Sequence, residues 1–242
     1  MNILNWYFNN IDQNNCWEDE MKIQRKGAAK TPKSLLAAAS EVFAEKGYRD
    51  ATIAEICERA KANVAAVNYH FGDKETLYTE AWRHSFSESV KTHPPNGGVS
   101  DGAPPEERLR GQVAALLRRI ADEGNREFLI VQKELANPTG LLNEVMREEI
   151  QPLQERMESL VRELLGPRTS DMQVGFCVIS IISQCINPMV AISGRKEKRE
   201  DKGGPPGVDD IEAYSNHVVK FSLAGIRAIR EETEKKRRSI KK

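Results

Sequence analysis

Between Thr52 and Lys74 the chain reads TIAEICERAKANVAAVNYHFGDK, two short helical patterns around a turn, the second too sparsely apolar to be buried on more than one side. Thr52 offers a hydroxyl oxygen to a backbone N–H one turn on, and Glu55 stands three positions later, as in a capping box. Ile53, Ile56 and Ala60 share one stripe, and Lys61 and Ala62 make the turn. Asn63 is a good N-cap for the second pattern, in which Val67 and Phe71 lie four apart and point into a small core. Val64, Ala65, Ala66, Asn68 and Tyr69 are left largely outward, on a face small enough for close approach to another surface. Two short amphipathic helices at an angle occur in many all-helical proteins, so spacing alone leaves DNA binding and ordinary helix packing both open.

The flanks fit a helical head. TPKSLLAAASEVFAEK places Pro32 in a first turn, Leu36, Ala39 and Phe43 on one stripe, and Gly47 as a C-cap, which predicts a first helix from Pro32 to Lys46. Asp73-Lys74-Glu75 open a fourth helix through Leu77, Tyr78, Trp82 and Phe86 to about Lys91, beginning beside the outward face and ending in the next domain. Ahead of the head, Lys22, Arg25, Lys26, Lys30 and Lys33 form a basic arm suited to phosphate or minor-groove contact, or simply a solvated leader. Met1 to Glu20 are rich in Asn and aromatic residues and lack the pattern of a secretory signal. Met21 begins MKIQRKGAAKTP, and one explanation for the unusual stretch before it is that the native start lies at Met21.

These residues resemble the DNA-binding domain of the tetracycline-repressor (TetR) family, with a Thr opening the second helix, an aromatic-x-His-Phe run closing the third and a Lys opening the fourth. Thr52, His70, Phe71 and Lys74 match; Asn68 stands where the family often has Tyr, and Lys61 where it often has Gly. The run NVAAVNYHFGDKETLY is close to the CecR-like branch, where Asn at this place is usual. The resemblance implies an all-α fold, a three-helix DNA-binding domain followed by a helical effector-binding and dimerisation domain. It assigns base contacts to Val64, Ala65, Ala66 and Asn68, and phosphate contacts to Thr52, Asn63, Tyr69, His70 and Lys74.

Composition narrows the class. With 36 basic and 36 acidic residues the net charge is +0, so attraction to nucleic acid must come from local patches. The four cysteines are scattered: Cys57 reads as core, Cys177 and Cys185 share one helix, and neither they nor Cys16 form metal-ligand spacing with the four histidines. No disulfide framework, metal or cofactor is expected, and the setting is reducing and cytoplasmic. There is no Gly-rich phosphate loop, nucleophile elbow or HExxH, and the histidines are too scattered to suggest a triad. An enzyme is therefore not expected. A ligand-binding or scaffolding dimer without operator binding is the alternative, though it has no use for an exposed NVAAVNYH face beside a basic arm.

The linker HPPNGGVSDGAPP, His93 to Pro105, cannot be crossed by a helix and marks the domain boundary region. Amphipathic segments follow at Glu106–Asp122, Arg126–Ala136 and Thr139–Leu165, the last expected to bend at Pro152. REFLIVQKELANPTGLL and EEIQPLQERMESLVRELLG again resemble the CecR-like branch. Met172 to Ser193 carry no charge; the length approaches the ~20 apolar residues of a membrane span, but Gln173, Gln184, Asn187 and Pro188 interrupt it, so a helix buried on all sides is expected. A final helix from Val208 to about Glu232 has one stripe of Ile211, Tyr214, Val218, Ser222, Gly225 and Ile229 and a second of Val219, Leu223 and Ile226. With the resemblance, the first stripe implies a homodimer in which the last two helices pair with their copies.

The resemblance implies a small-molecule effector; Trp82, Phe86, Phe128, Met146, Met157 and Phe176 could line a cavity for it, with ordinary core packing as the other reading of each. The expected organisation is a disordered extension and arm over 1–30, the helix-turn-helix domain over 31–76, the effector and dimer domain over 77–232, and a basic tail over 233–242. The partners are a double-stranded operator, a second copy and an effector; no membrane is involved.

Overall fold

Among the described residues every regular element is a helix. A computed structural model of the chain describes residues 30–122, 124–193 and 210–240, so arm residues Lys22, Arg25 and Lys26 and the segment after Ser193 lie outside it. The helices are α1 (Lys30–Asp50), α2 (Ile53–Ala60), α3 (Val64–Phe71), α4 (Lys74–Thr92), α5 (Pro105–Ala121), α6 (Arg126–Ala136), α7 (Asn143–Leu165), α8 (Asp171–Ser193) and α9 (Ile211–Ile240). They form two compact units. One comprises the described residues of Met1–Ser89 and Glu123–Glu149, the other those of Val90–Asp122 and Ile150–Lys242. The division falls within α4 and α7 and so differs from the expected boundary after residue 76, because α6 packs along α1 and joins the head.

In the first unit α1 buries Leu35, Ala39, Val42 and Phe43, all 0% exposed, whereas Leu36 is only half-buried. This helix breaks at Gly47, whose φ of 77° and ψ of 179° lie where a side chain is strained. Lys133 of α6 lies against that break, 3.3 Å from where a Cβ would stand. Trp82 and Tyr78 of α4, 1% and 0% exposed, complete the core. Asn125 caps α6 by accepting from Phe128 N–H at 3.4 Å, and its amide donates to Ser89 at 3.2 Å.

In the second unit α5 packs against α8 and α9. Surface pairs join α5 to α9, Arg118 to Glu212 at 2.8 Å and Arg110 to Asn216 at 2.5 Å, each exposed enough to contribute at most about 1 kcal/mol. Residues 93–104 form a string of turns lying on α5. A Cβ at Gly111 would strike the Asn96 carbonyl and the Val99 side chain, so the two backbones meet only because glycine stands there. Pro152 sits inside α7, which is continuous through it. Tyr214 donates to the Gln184 carbonyl at 2.7 Å and fastens α9 to α8.

α8 is not buried on all sides: Val174, Val178, Ile181 and Cys185 face inward, but Met172 is 65% and Phe176 59% exposed. An uncharged outward face of Met, Phe, Ser and Asn reads in a sequence like an interior one. The final helix also runs to Ile240, past the expected end near Glu232 and into the stretch assigned to a separate tail. No helix among the described residues is long and apolar enough to cross a membrane.

Candidate nucleic-acid interface

Local chemistry builds the turn between α2 and α3. Glu55 N–H donates to the Thr52 hydroxyl oxygen at 3.2 Å, a cap of about 1 kcal/mol. The reciprocal half of the expected capping box is not made, because the Glu55 carboxylate takes Lys46 at 2.7 Å instead. Lys61 closes α2 in the left-handed region, φ 52° and ψ 44°, with its N–H turned back to the Cys57 and Glu58 carbonyls. Asn63 then starts α3, its side-chain oxygen accepting from Ala66 N–H at 2.8 Å. Both cap residues spend an acceptor on the protein and keep donors, the Thr52 O–H and the Asn63 amide, for an outside partner.

α3 is held by one side and offers the other. Val67, 0% exposed, anchors it, with Phe71 half-buried where a core position was expected. Val64 is 49% and Tyr69 69% exposed; Ala65 and Asn68 are exposed, while Ala66 and His70 are half-buried. The offered face therefore consists of a short aliphatic edge, one amide and one phenol. Tyr69 meets the His70 ring edge-on at 4.9 Å.

Charge is sorted across the head. Arg59 is held by Glu45 through two bonds of 2.7 and 3.0 Å, with Glu41 and Glu55 nearby, so its charge is taken up by carboxylates of the protein. Its hydrogen bond holds the Glu45 carboxyl below the usual carboxylate range. Lys74, which opens α4, lies over the Tyr48 ring at 4.5 Å and has no carboxylate within ion-pair distance among the described residues. Partial burial draws its ammonium below the usual lysine range, with Asp50 opposing. Asp73 caps α4 through Thr76 N–H at 2.7 Å, and that bond lowers its carboxyl. The base-contact and phosphate-contact candidates thus all belong to one unit and border α3 and the two helix starts beside it. The Lys74–Tyr48 stack was missed, because no local spacing links residues on separate elements.

The effector candidates do not gather in the same way. Trp82, Phe86, Phe128 and Met146 belong to the first unit, Met157 and Phe176 to the second. Trp82 and Phe86 stack at 5.3 Å, and the Trp82 indole N–H is buried without a hydrogen-bond partner. Phe176 faces outward and lines no interior. A cleft of about 290 Å³ in the second unit is lined by Arg108, Gln112, Glu155, Arg156 and neighbours, and by none of the six.

The dimer candidates lie along one stripe of α9 but differ in exposure. Val218 is 0% and Ser222 7% exposed, closed within their own chain; Ile211, Tyr214 and Ile229 are half-buried; Gly225 is exposed. A third line of α9, His217, Phe221, Ala224 and Ala228, is uncovered, with Phe221 64% exposed. Helical spacing at i, i+4, i+7 and i+11 could have revealed it. His217 stacks on both Tyr214 and Phe221, at 6.3 and 6.2 Å.

Known proteins resemble this chain in both of its parts. Residues 35–81 match the family described as bacterial regulatory proteins, tetR family, and residues 105–226 match the C-terminal domain of HTH-type transcriptional dual regulator CecR. The chain is similar to the HTH-type transcriptional dual regulator CecR of Shigella flexneri, 28% identical over 152 residues that cover 59% of this chain and 68% of that protein. It is also similar to the probable acrEF/envCD operon repressor of Escherichia coli (strain K12), 26% identical over 161 residues covering 63% and 72%. Among solved structures, the fatty acid degradation regulator FadR from Bacillus halodurans has the same fold, with a TM-score of 0.62 at 18% identity over 84% of this chain and 99% of that one.

Proposed function

The chain belongs to the TetR family of bacterial regulatory proteins, in its CecR-like branch, and from that premise we propose that it is a homodimeric, cytoplasmic repressor released from a near-palindromic operator by a small molecule. Membership makes it a DNA-binding transcriptional regulator. The observation that carries the finer reading is the face of α3: Val64, Ala65, Asn68 and Tyr69 outward on a helix anchored by a fully buried Val67. Two copies would each lay α3 in a major groove, about one helical turn apart. Asn68 offers a bidentate amide to adenine, and Val64 and Ala65, with Ala66 at the margin, meet thymine methyls. Thr52, Asn63, Tyr69, His70 and Lys74 serve phosphates and set register without reading sequence.

The dimer reading is supported by the uncovered apolar side chains Met172 and Phe176 of α8 and Phe221 of α9, each 59% exposed or more in the single chain. For the effector, the unpartnered indole N–H of Trp82 favours an apolar compound carrying a hydrogen-bond acceptor. Release requires that this compound bind the DNA-incompetent arrangement more tightly than the competent one. A gel shift with the DNA upstream of the protein's own gene, run over a salt series, tests the reading. A band that retards specifically and weakens steeply with salt is expected; no retardation at low salt defeats it.

A further inference from the structure

The Glu134 carboxylate is the meeting point of two parts of the first unit. On one side it accepts from the Tyr78 hydroxyl of α4 at 3.1 Å. On the other it takes the turn after α6: Thr139 N–H at 2.7 Å, Gly140 N–H at 2.8 Å, and the Thr139 hydroxyl, whose oxygen lies 2.8 and 2.9 Å from the two carboxylate oxygens. A carboxylate only accepts, so the Tyr78 O–H has a fixed direction. Tyr78 is itself fully buried, and its ring lies 4.8 Å edge-on from Phe43 and 5.1 Å from Tyr48. Tyr48 is the ring beneath Lys74, whose ammonium is 4.5 Å from its centre. Glu134, Tyr78, Tyr48 and Lys74 thus form one unbroken line of contacts from the turn at Thr139–Gly140 to the start of α4.

We propose that Glu134 is a positioning residue for DNA binding: through the Tyr78 hydroxyl and the Tyr48 ring, it holds the Lys74 ammonium where a phosphate meets it. The inference rests on the reading of Lys74 as a phosphate contact. A lysine on a flexible stem loses rotamer freedom when it binds, and a cation already settled on a ring has lost part of it beforehand. That advantage lasts only while Tyr48 stays in place. Tyr48 is half-buried and rests on Tyr78, and the Tyr78 hydroxyl is fixed by Glu134. Because the same carboxylate also ties down Thr139 and Gly140, a shift of that turn and a loosened grip on phosphate are one event.

A line of contacts becomes a coupling only when removing one end abolishes the effect of the other, so the test is a double-mutant cycle on the full chain. The probe is a fluorescein-labelled duplex of mixed sequence, about three helical turns long, because phosphate contacts are independent of sequence. Affinity is measured by anisotropy over a salt series for Lys74→Ala, Glu134→Ala, Tyr78→Phe and each of the latter two combined with Lys74→Ala. Tyr78→Phe removes only the hydroxyl at the joint and keeps the packed ring, which guards against loss of the fold. The expected result is that Glu134→Ala and Tyr78→Phe each weaken binding about threefold to tenfold and lower the salt slope, yet change it less than about twofold once Lys74 is gone. Equal losses in both backgrounds, or no loss for Tyr78→Phe, overturn the coupling while leaving the phosphate role intact. An unchanged affinity and slope for Lys74→Ala alone removes the phosphate role and the coupling with it, a distinct outcome.

Discussion

Replacing Phe221 with serine is expected to dissolve the dimer while sparing the monomer. A phenylalanine buries about 150–250 Å² when fully covered, and Phe221 is 64% exposed in the single chain, so about 100–160 Å² per copy is still open to burial. At about 25 cal/mol per Å² this is worth about 2.5–4 kcal/mol per copy before ordering costs. Both copies together amount to about 5–8 kcal/mol, and ordering of the two side chains takes back about 1–3 kcal/mol, so Phe221→Ser is expected to weaken the dimer by at least about 2 kcal/mol, a dissociation constant raised about 30-fold or more. The folding stability of the monomer should move by less than about 0.5 kcal/mol, since the side chain faces solvent. Val218→Ser, at a position 0% exposed, should do the reverse and cost folding about 2 kcal/mol or more. Sedimentation velocity over a dilution series, with thermal melts of the same samples, separates the two. An unchanged self-association constant for Phe221→Ser would refute the assignment of this face to a second copy.

Three further outcomes can be checked. Asn68→Ala should lose about 1–3 kcal/mol of discrimination at one base position in each half-site, read by competition among singly substituted duplexes; equal losses at every position would make Asn68 a backbone contact. Lys61→Gly should stabilise the protein by about 0.5–1 kcal/mol in urea denaturation, because Lys61 holds φ at 52°, where a Cβ is penalised and glycine is not. Burial pushes the Cys185 thiol up from 9.0 to about 12, so the folded state keeps a proton that the unfolded state releases. Stability from this group is complete below pH 9.0 and falls by about 1.4 kcal/mol per pH unit between there and about 12, and Cys185→Ala should flatten that slope in denaturation at rising pH.

The head was legible because its signals are local. Thr52 and Asn63 cap the helices they precede in the sequence, Gly47 breaks α1 where glycine was expected to end it, and Val67 alone is wholly buried in α3. Less legible were features decided by distant residues. Tyr78 and Glu134 are 56 positions apart, and nothing near either announces the bond or the inclusion of α6 in the head's unit. Apolar stripes on α9 were visible, but a stripe does not say whether it meets its own chain or another. Val218 and Ser222 turned inward and Phe221 outward, since a helix with three apolar lines leaves one for the remaining neighbour.

The stretch from His93 to Pro105 has the composition an engineer would choose for splicing in a tag or joining the halves of two related regulators. Its turns, closed by Gly97 N–H to the Pro94 carbonyl at 2.8 Å and Val99 N–H to the Asn96 carbonyl at 3.1 Å, are seated on Gly111 without room for a methyl group. A chimaera cut there would have to carry both glycines from one parent. By the same reasoning, a protease given the intact chain should find this proline-rich segment a poor substrate.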